Sequence, residues 1–373
     1  MPRAERSEDP RRNRTETSED ALGRLVRGHM PALDGVRGIA ILLVLAHTFD
    51  VIQTRNGMGH DIDLALDTGW IGVQLFFVLS GFLITGILLD TRSKPHYFRT
   101  FWIRRVLRIF PLYFGVLAVA TAAGAASIYL WTYTSNFAAP LGHPEPVFPH
   151  FWSLAVEEQF YLVWPLVVRL AGRRGVVALS FVLSALAIAS RVYVRSHLGI
   201  ESAYQFTPCR MDALAIGAGV AALIRGDGVR RIVANSRASL LGGIGSGILL
   251  GGAVLGHLAR TSAAMQASGY TLIAVGFAVL LIGALPPHRI PARILSWSPL
   301  RRIGTYSYGM YVFHAPFHIL VGLPLLERLH WKQGTAFGVA YMIGATLVTL
   351  ALAALSYHLY ERRFLALKQR LAP

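Results

Sequence analysis

The sequence contains ten long apolar segments, and they constrain the fold more than any single motif does. Each is long enough, or nearly so, to cross the roughly 30 Å hydrocarbon core of a bilayer as a helix. With 54% hydrophobic and only 15% charged residues, the 373-residue chain does not have the composition of a soluble domain. The predicted spans are residues 33–52, 69–90, 109–130, 151–170, 175–195, 211–225, 239–258, 267–285, 303–324 and 335–360. We therefore predict an all-α, polytopic membrane helix bundle of about ten transmembrane helices.

The basic residues alternate with these spans. They concentrate in the N-terminal segment and in every second loop, whereas residues 131–150 contain neither Lys nor Arg. By the positive-inside rule, this pattern predicts that both termini are cytoplasmic. It also accounts for the formal net charge of +16 without a nucleic-acid partner. The predicted cytoplasmic loops carry their Lys and Arg residues within positions 92–108, 169–174, 225–237, 289–302 and 362–370.

Residues 1–30 are polar and rich in Arg, Glu, Ser and Thr, which predicts a disordered cytoplasmic tail rather than a secretory signal peptide. Residues 31–373 are predicted to form one membrane domain. The single cysteine, Cys209, excludes an intramolecular disulfide and a cysteine-rich zinc site. The His and carboxylate residues follow no recurrent zinc spacing such as His-Glu-x-x-His, so we predict no metal site.

The first span contains three residues that are unusual in lipid: Asp34, Arg37 and His47. A charge inside a bilayer costs at least a few kcal/mol, so such residues usually face the bundle interior or a cavity. A helix would put His47 roughly 20 Å beyond Leu33. An imidazole can accept a proton and return it near neutral pH, which makes His47 a candidate general base. The alternative for Arg37 is that it extends to the cytoplasmic interface and only orients the helix.

The second span carries Ser80 and Gly81 near its middle. Small residues at this position have two interpretations, which the sequence leaves open. They either belong to a polar site, or they allow close packing against a neighbouring helix.

Arg105 and Arg108 precede the third span and share one face of a helix, because they are three residues apart. A guanidinium pair at a membrane surface is suited to binding phosphate groups through forked hydrogen bonds. The alternative is ordinary anchoring at the cytoplasmic interface or contact with anionic lipid.

The fourth span opens with two adjacent carboxyl groups, Glu157 and Glu158. Two such groups inside a span are expensive, and this favours a functional interpretation. Ser153, Glu157 and Tyr161 recur every four residues and are predicted to share a face. The alternative is a structural carboxylate that pairs with an arginine.

Two further groups of polar residues lie in later spans. Arg210 and Asp212 open the sixth span and are predicted to pair with each other near the outer surface. The ninth span carries a stripe with helical spacing, formed by Tyr308, Tyr311, His314 and His318. A histidine in the middle of a span and close to Pro316 suggests a cavity, whereas the alternative is a hydrogen-bonded core histidine.

Taken in order, these motifs resemble acyltransferase family 3, the integral-membrane O-acyltransferases of bacteria. The resemblance covers nearly the whole chain from residue 31. It is carried by Leu33-Asp-Gly-Val-Arg-Gly, Ser80-Gly-Phe, Arg105-x-x-Arg108 with Pro111, Trp152-Ser-Leu-Ala-Val-Glu-Glu-Gln-Phe-Tyr161, Arg210-x-Asp212-x-Leu214, Ser307-Tyr-x-x-Tyr-x-x-His314 and Tyr360-Glu361.

The resemblance implies ten core spans in the bacterial cytoplasmic membrane. It also implies transfer of an acyl group, often acetyl, from acyl-CoA, which is a donor substrate and not a permanently bound cofactor. The implied acceptors are hydroxyls of surface glycans, lipid-linked sugars or glycosylated metabolites. Some relatives append a further span and a soluble domain; since this chain carries neither, we expect the membrane domain to act alone or with partners.

The family's Arg-to-His motif maps onto Arg37 and His47, and its arginine pair maps onto Arg105 and Arg108. One spacing departs from the family pattern. The motif usually has ten intervening residues, whereas here there are nine. Ten helical steps leave the two side chains roughly 80° apart around the axis.

The resulting hypothesis is an acyl-CoA-dependent O-acyltransferase. Arg105 and Arg108 would hold coenzyme A phosphates, His47 would act as general base, and Glu157 would orient His47, balance its charge or hold the sugar. A covalent acyl-enzyme at Ser80 or His47 stays open beside direct transfer. The rival hypothesis is a proton-coupled exporter of glycan or lipid that uses His47, Glu157 and His314 as a relay. The other candidate site residues are Asp34, Ser80, Gly81, Glu158, Tyr161, Arg210, Asp212, Tyr311, His314 and Glu361.

Overall fold

In the computed structural model, the described residues are 30–52, 58–226, 260–286, 289–330 and 334–371, together with Gly243 and Gly247. Within them the chain is helical, and no strand occurs. The predicted tail at residues 1–30 lies outside the described residues except for its last residue. The predicted span 239–258 also lies outside them, apart from the two glycines.

The helices are numbered in chain order. The first half of the chain forms α1 (Pro31–Thr48), α2 (Met58–Asp67), α3 (Ile71–Thr91), α4 (Tyr97–Ala122), α5 (Ile128–Trp131), α6 (Ser135–Ala138), α7 (Phe151–Leu198), α8 (Ile200–Gln205) and α9 (Thr207–Leu223). The second half forms α10 (Tyr270–Ala284), α11 (Ile290–Leu295), α12 (Ser298–Phe317), α13 (Leu323–Arg328), α14 (Thr335–Ser356), α15 (Arg362–Ala366) and α16 (Lys368–Leu371). Wider π-helical turns occur at Met265–Gly269, His318–Gly322 and Tyr357–Glu361.

Seven helical segments of the described chain are long and apolar enough to cross a membrane. These are Pro31–Thr48, Ile62–Thr91, Tyr97–Ala122, Phe151–Leu198, Met265–Ala284, Ser298–Arg328 and Thr335–Ala366. The polytopic helical class is therefore confirmed. The number of about ten spans and the cytoplasmic position of both termini stay predictions.

Helix α7 contains two of the predicted spans, 151–170 and 175–195. Its backbone breaks at Gly172, where φ is +61° and ψ is −171°, a region that is essentially open only to glycine. Two arginines brace the break by reciprocal hydrogen bonds. Arg92 Nη2 donates to the Arg169 carbonyl at 2.9 Å, and Arg169 Nη1 donates to the Arg92 carbonyl at 2.7 Å.

Glycines permit the closest contacts between the central helices. A Cβ added to Gly81 on α3 would lie 1.9 Å from the carbonyl oxygen of Leu214 on α9, and one on Gly217 would lie 2.0 Å from a backbone oxygen of α3. A Cβ on Gly304 of α12 would lie 1.8 Å from the backbone oxygen of Asp34 on α1. Any side chain there would force the helices apart, so Gly81 serves helix packing, the second of its two interpretations.

Helix α4 begins at Tyr97, twelve residues before the predicted span 109–130. The span boundary at residue 109 therefore lies later than the start of the helix, whereas the prediction that Arg105 and Arg108 share one face of a helix is confirmed, since both line the same two cavities. Their charge lowers the hydropathy of the first turns of the helix, and this hides the start of α4 in the sequence. The shift places the arginines on a rigid helix.

Candidate active site

Five helices, α1, α3, α4, α7 and α12, enclose an open cavity of about 810 Å³, here called the central cavity. Its apolar wall includes Phe76, Phe77 and Leu83. Its polar lining consists of Arg37, Ser80, Arg105, Arg108, Ser153, Glu157, Glu158, Tyr161, Ser307, Tyr308 and Tyr311. Because the helices are apolar enough to span a membrane, this concentration of polar groups marks the bundle interior as a functional site.

The carboxyl groups of the fourth predicted span face this cavity. The Ser80 hydroxyl donates a hydrogen bond of 2.7 Å to Glu157 Oε1. Arg105 and Arg37 are close enough to Glu157 for charge attraction. Glu158 lines the same cavity. The chain therefore brings together two carboxyl groups and several cations from separate helices.

The cations occupy one end of the cavity. The Arg105 guanidinium lies 4.3 Å from the centre of the Tyr161 ring, and its buried Nε has no hydrogen-bond partner. Arg37 Nη1 donates to Asp34 Oδ1 at 3.3 Å. Arg108, one helical turn after Arg105, also lines the cavity. This arrangement leaves guanidinium donors available to an anion.

A second cavity of about 1130 Å³, here called the mouth cavity, adjoins the first and shares Arg37, Leu83, Arg105 and Arg108 with it. Its remaining basic lining residues are Lys94, Arg104 and Lys368. Among the described residues, none that lines it is acidic. A negatively charged group is thus the natural occupant of the mouth.

A cluster of hydroxyl and imidazole groups closes the opposite end of the central cavity. The hydroxyls of Ser153 and Tyr311 are 2.6 Å apart, and Tyr311 also donates to the His150 carbonyl at 3.2 Å. The rings of His150 and His314 lie 4.5 Å apart. The ring nitrogens of His150 are buried, and the backbone of Tyr311 and Val312 lies beside the ring. His314 Nδ1 is 2.6 Å from the Tyr311 carbonyl, whose oxygen accepts its proton.

His47 lies at the end of α1 remote from Arg37, about 15 Å along the helix axis. Its Nδ1 is 3.4 Å from Oδ1 of Asp67, the last residue of α2. It is close enough to His314 for their charges to interact. His47 lines neither of the two cavities, so neither cavity connects it to Arg105 and Arg108.

Glu157 was a candidate partner of His47, but the carboxylate that lies beside His47 is that of the exposed Asp67, at 3.4 Å and without a hydrogen bond. Glu157 instead binds the Ser80 hydroxyl in the central cavity. The carboxylate beside His47 comes from a different helix, and the spacing along α1 and α7 contains no information about it. An imidazole with a carboxylate at Nδ1 keeps Nε2 for proton transfer.

The predicted pairing of Arg210 with Asp212 was wrong. Arg210 Nη2 donates to Gln74 Oε1 at 2.7 Å. Asp212 Oδ2 accepts from Arg191 Nη1 at 2.8 Å and from Thr271 Oγ1 at 2.6 Å. Residues two apart on a helix point about 200° away from each other, so each needs a partner on another helix. Arg191 and Asp212 are both fully buried, and this ion pair is structural.

Glu361 and His318 complete the set of predicted residues. Glu361 accepts a 3.1 Å hydrogen bond from Ser356 and lies within electrostatic range of Arg108. His318 Nδ1 is 2.6 Å from the Tyr341 hydroxyl. Neither lines the central cavity. Over the described residues, no three His, Cys, Asp or Glu side chains gather as a metal site.

Comparison with known proteins identifies the family. The acyltransferase domain of acyltransferase family 3 matches residues 30–357, which is most of the chain. The chain belongs to acyltransferase family 3. The apolar helices and this family together make it a multi-pass membrane protein.

Relatives of this family-3 acyltransferase domain occur in Bacillus subtilis, Listeria monocytogenes and Staphylococcus aureus. YrhL of Bacillus subtilis (strain 168), which carries the provisional name of a peptidoglycan O-acetyltransferase, is 30% identical; the match covers 90% of this chain and 54% of YrhL. The peptidoglycan O-acetyltransferase OatA of Listeria monocytogenes serovar 1/2a is 27% identical, over 91% of this chain and 56% of OatA. The O-acetyltransferase OatA of Staphylococcus aureus (strain NCTC 8325 / PS 47) is 26% identical, over 89% and 57%. The chain thus spans little more than half the length of these relatives. No solved structure matches it significantly.

Three residues of the family-3 site were missed in the sequence. Asp67 is one of several acidic residues between the first two spans, His150 directly precedes the fourth span, and Lys368 belongs to the basic C-terminal run. Each lies next to a motif or in a charged segment, where the sequence alone indicates only a solvated polar or charged side chain. Only the packing of separate helices connects them to the site.

Proposed function

We propose that this chain is a membrane O-acyltransferase that moves an acyl group, most simply acetyl, from acyl-CoA to a hydroxyl of a carbohydrate acceptor. Membership of the family supports the reaction class. The relatives named as peptidoglycan O-acetyltransferases support peptidoglycan or a related glycan as acceptor. The observation that carries the proposal is the cation-lined mouth cavity that adjoins a polar central cavity.

The donor would enter through the mouth. Arg105 and Arg108 line both cavities, and guanidinium groups bind phosphate oxygens through paired hydrogen bonds. With its phosphates held there, the flexible arm of acyl-CoA would extend into the central cavity. The apolar side chains of Phe76, Phe77 and Leu83 would shield the thioester from water, which would favour transfer over hydrolysis.

The proposed base, His47, lies at the end of α1 remote from Arg37 and lines neither cavity, so this step requires the acceptor hydroxyl to reach beyond the central cavity when the substrates bind. His47 would take the hydroxyl proton, with the Asp67 carboxylate beside its Nδ1 stabilising the imidazolium. The acceptor oxygen then forms a bond to the thioester carbonyl carbon, the carbon–sulfur bond breaks, and the departing thiolate takes the proton. Glu157, hydrogen-bonded to Ser80 in the cavity, would hold hydroxyl groups of the sugar. The hydroxyls of Ser153 and Tyr311 are 2.6 Å apart and line the same cavity, and the Tyr311 ring contacts the rings of His150 and His314.

The test uses purified protein in lipid nanodiscs with radiolabelled acetyl-CoA and peptidoglycan glycan strands. We expect labelled ester on the glycan and an equal amount of free CoA thiol. The same reconstitution in vesicles tests the exporter hypothesis. Glycan flux across the membrane without consumption of acetyl-CoA would overturn the proposed function.

A further inference from the structure

The mouth cavity includes one residue from outside the matched family domain. The family match ends at residue 357, whereas Lys368 opens α16. Helices α15 and α16 pack on α4, the helix that carries the arginine pair. This packing turns Lys368 toward the same opening as Arg105 and Arg108.

The charged groups that act most strongly on Lys368 are cations. Arg104, Arg105 and Arg108 face it from α4. Arg37 on α1 and Lys94, after α3, line the same cavity. The arginines of α15, Arg362 and Arg363, are exposed. Two carboxylates lie close to these cations: Asp34 pairs with Arg37 at 3.3 Å, and Glu361, within electrostatic range of Arg108, accepts a hydrogen bond from Ser356; neither lines the mouth cavity.

This arrangement is unfavourable without an anion. Burial, followed by repulsion from Arg108, Arg105 and Arg104, lowers the pKa of Lys368 to about 8. Like charges brought together in a partly desolvated site repel one another, and a bound polyanion removes that cost. Two arginines are enough for one forked phosphate contact. The additional cations at the opening therefore indicate a ligand with more than one phosphate group.

We propose that Lys368 is a phosphate-binding residue of the donor site and that the C-terminal helix α16 is part of that site. The ligand class is a nucleotide that carries a pyrophosphate and a further phosphate, as coenzyme A does. This inference rests on the proposed function for the identity of the donor. Lys368 would be a third phosphate contact beside Arg105 and Arg108, and it belongs to a segment beyond the matched family domain.

The proposal has a pH signature. Below pH 8, Lys368 is charged in the free protein, so the affinity for the polyanion is at its highest. A bound polyanion raises the lysine pKa, so binding takes up a proton once the pH exceeds about 8, and the affinity falls by up to tenfold per pH unit there. An arginine at this position stays charged and removes this dependence.

The experiment measures the dissociation constant of coenzyme A for the full chain in nanodiscs, by calorimetry at pH 7 and pH 9. Lys368→Gln should bind about tenfold more weakly at pH 7 and lose the lysine-dependent part of the pH effect. Lys368→Arg should keep the affinity at pH 7 and weaken less at pH 9 than the wild type. The matched control is Arg370→Gln, which alters an exposed residue of the same helix that does not line the cavity. Identical dissociation constants for Lys368→Gln and Arg370→Gln would overturn the proposal.

A second probe separates this inference from the proposed function. If coenzyme A binds equally to every variant, the role of Lys368 is refuted while the donor assignment stands. If coenzyme A does not bind but inorganic pyrophosphate does, with the same dependence on Lys368, the phosphate site stands and the donor assignment fails. If neither probe binds the wild type, both fail.

Discussion

Replacement of Arg105 by Gln tests the donor site at its centre. Arg105 lies where the two cavities meet, its guanidinium is positioned 4.3 Å from the Tyr161 ring, and its Nε has no protein partner. Little conformational freedom is then lost when a phosphate binds. A hydrogen bond to a charged group contributes about 1.5–3 kcal/mol, so the variant should bind coenzyme A about 10- to 150-fold more weakly.

The assay is a thermal shift and a direct titration with coenzyme A. At a ligand concentration of about 100 times the wild-type dissociation constant, binding stabilises the wild type by about 2.7 kcal/mol; a tenfold weaker variant gains only about 1.4 kcal/mol. Arg99→Gln is the matched control, because Arg99 is an exposed residue of the same helix and lines neither cavity. A folded Arg105→Gln protein whose dissociation constant stays within twofold of that of Arg99→Gln would refute the assignment.

Three other predictions concern the proposed base, the buried ion pair and one close contact between helices. His47→Gln should lower acetyl transfer by about 10²- to 10⁴-fold at an unchanged melting temperature, and full activity in a transfer assay would contradict its role as base. Arg191→Met should lower the free energy of unfolding by about 3–5 kcal/mol, because it leaves the buried Asp212 carboxylate unpaired. The double variant Arg191→Met with Asp212→Leu should recover most of that free energy in thermal unfolding. Gly81→Ala should lower the melting temperature and the yield of folded protein, whereas Gly344→Ala, which meets open space, should not; equal melting temperatures would count against the close helix contact.

The sequence was sufficient for the class of fold and for several of the polar residues that line the central cavity. Apolar length predicted membrane-spanning helices, and helical spacing predicted a common face for Ser153, Glu157 and Tyr161, which all line one cavity. Both inferences depend on local geometry, since a helix fixes the direction of side chains three or four residues apart. Charge inside an apolar segment then indicated which faces point inward.

Side-chain pairs between different helices could not be predicted from spacing along one helix. Asp212 pairs with Arg191 and not with Arg210, and His47 has Asp67 beside it and not Glu157. Such pairs depend on how helices distant in sequence cross, and this is set by contacts such as those of the glycines on α3 and α9. Lys368 was missed for the same reason, because its position follows from the packing of α16 on α4.

A cryo-electron microscopy structure of the full chain with bound coenzyme A would test whether the mouth and central cavities form the donor path. We predict phosphate oxygens within hydrogen-bond distance of Arg105 and Arg108, and the thiol arm in the central cavity beside Ser80 and Glu157. Coenzyme A bound away from both cavities, with the arginine pair in contact only with lipid, would contradict the proposed donor path.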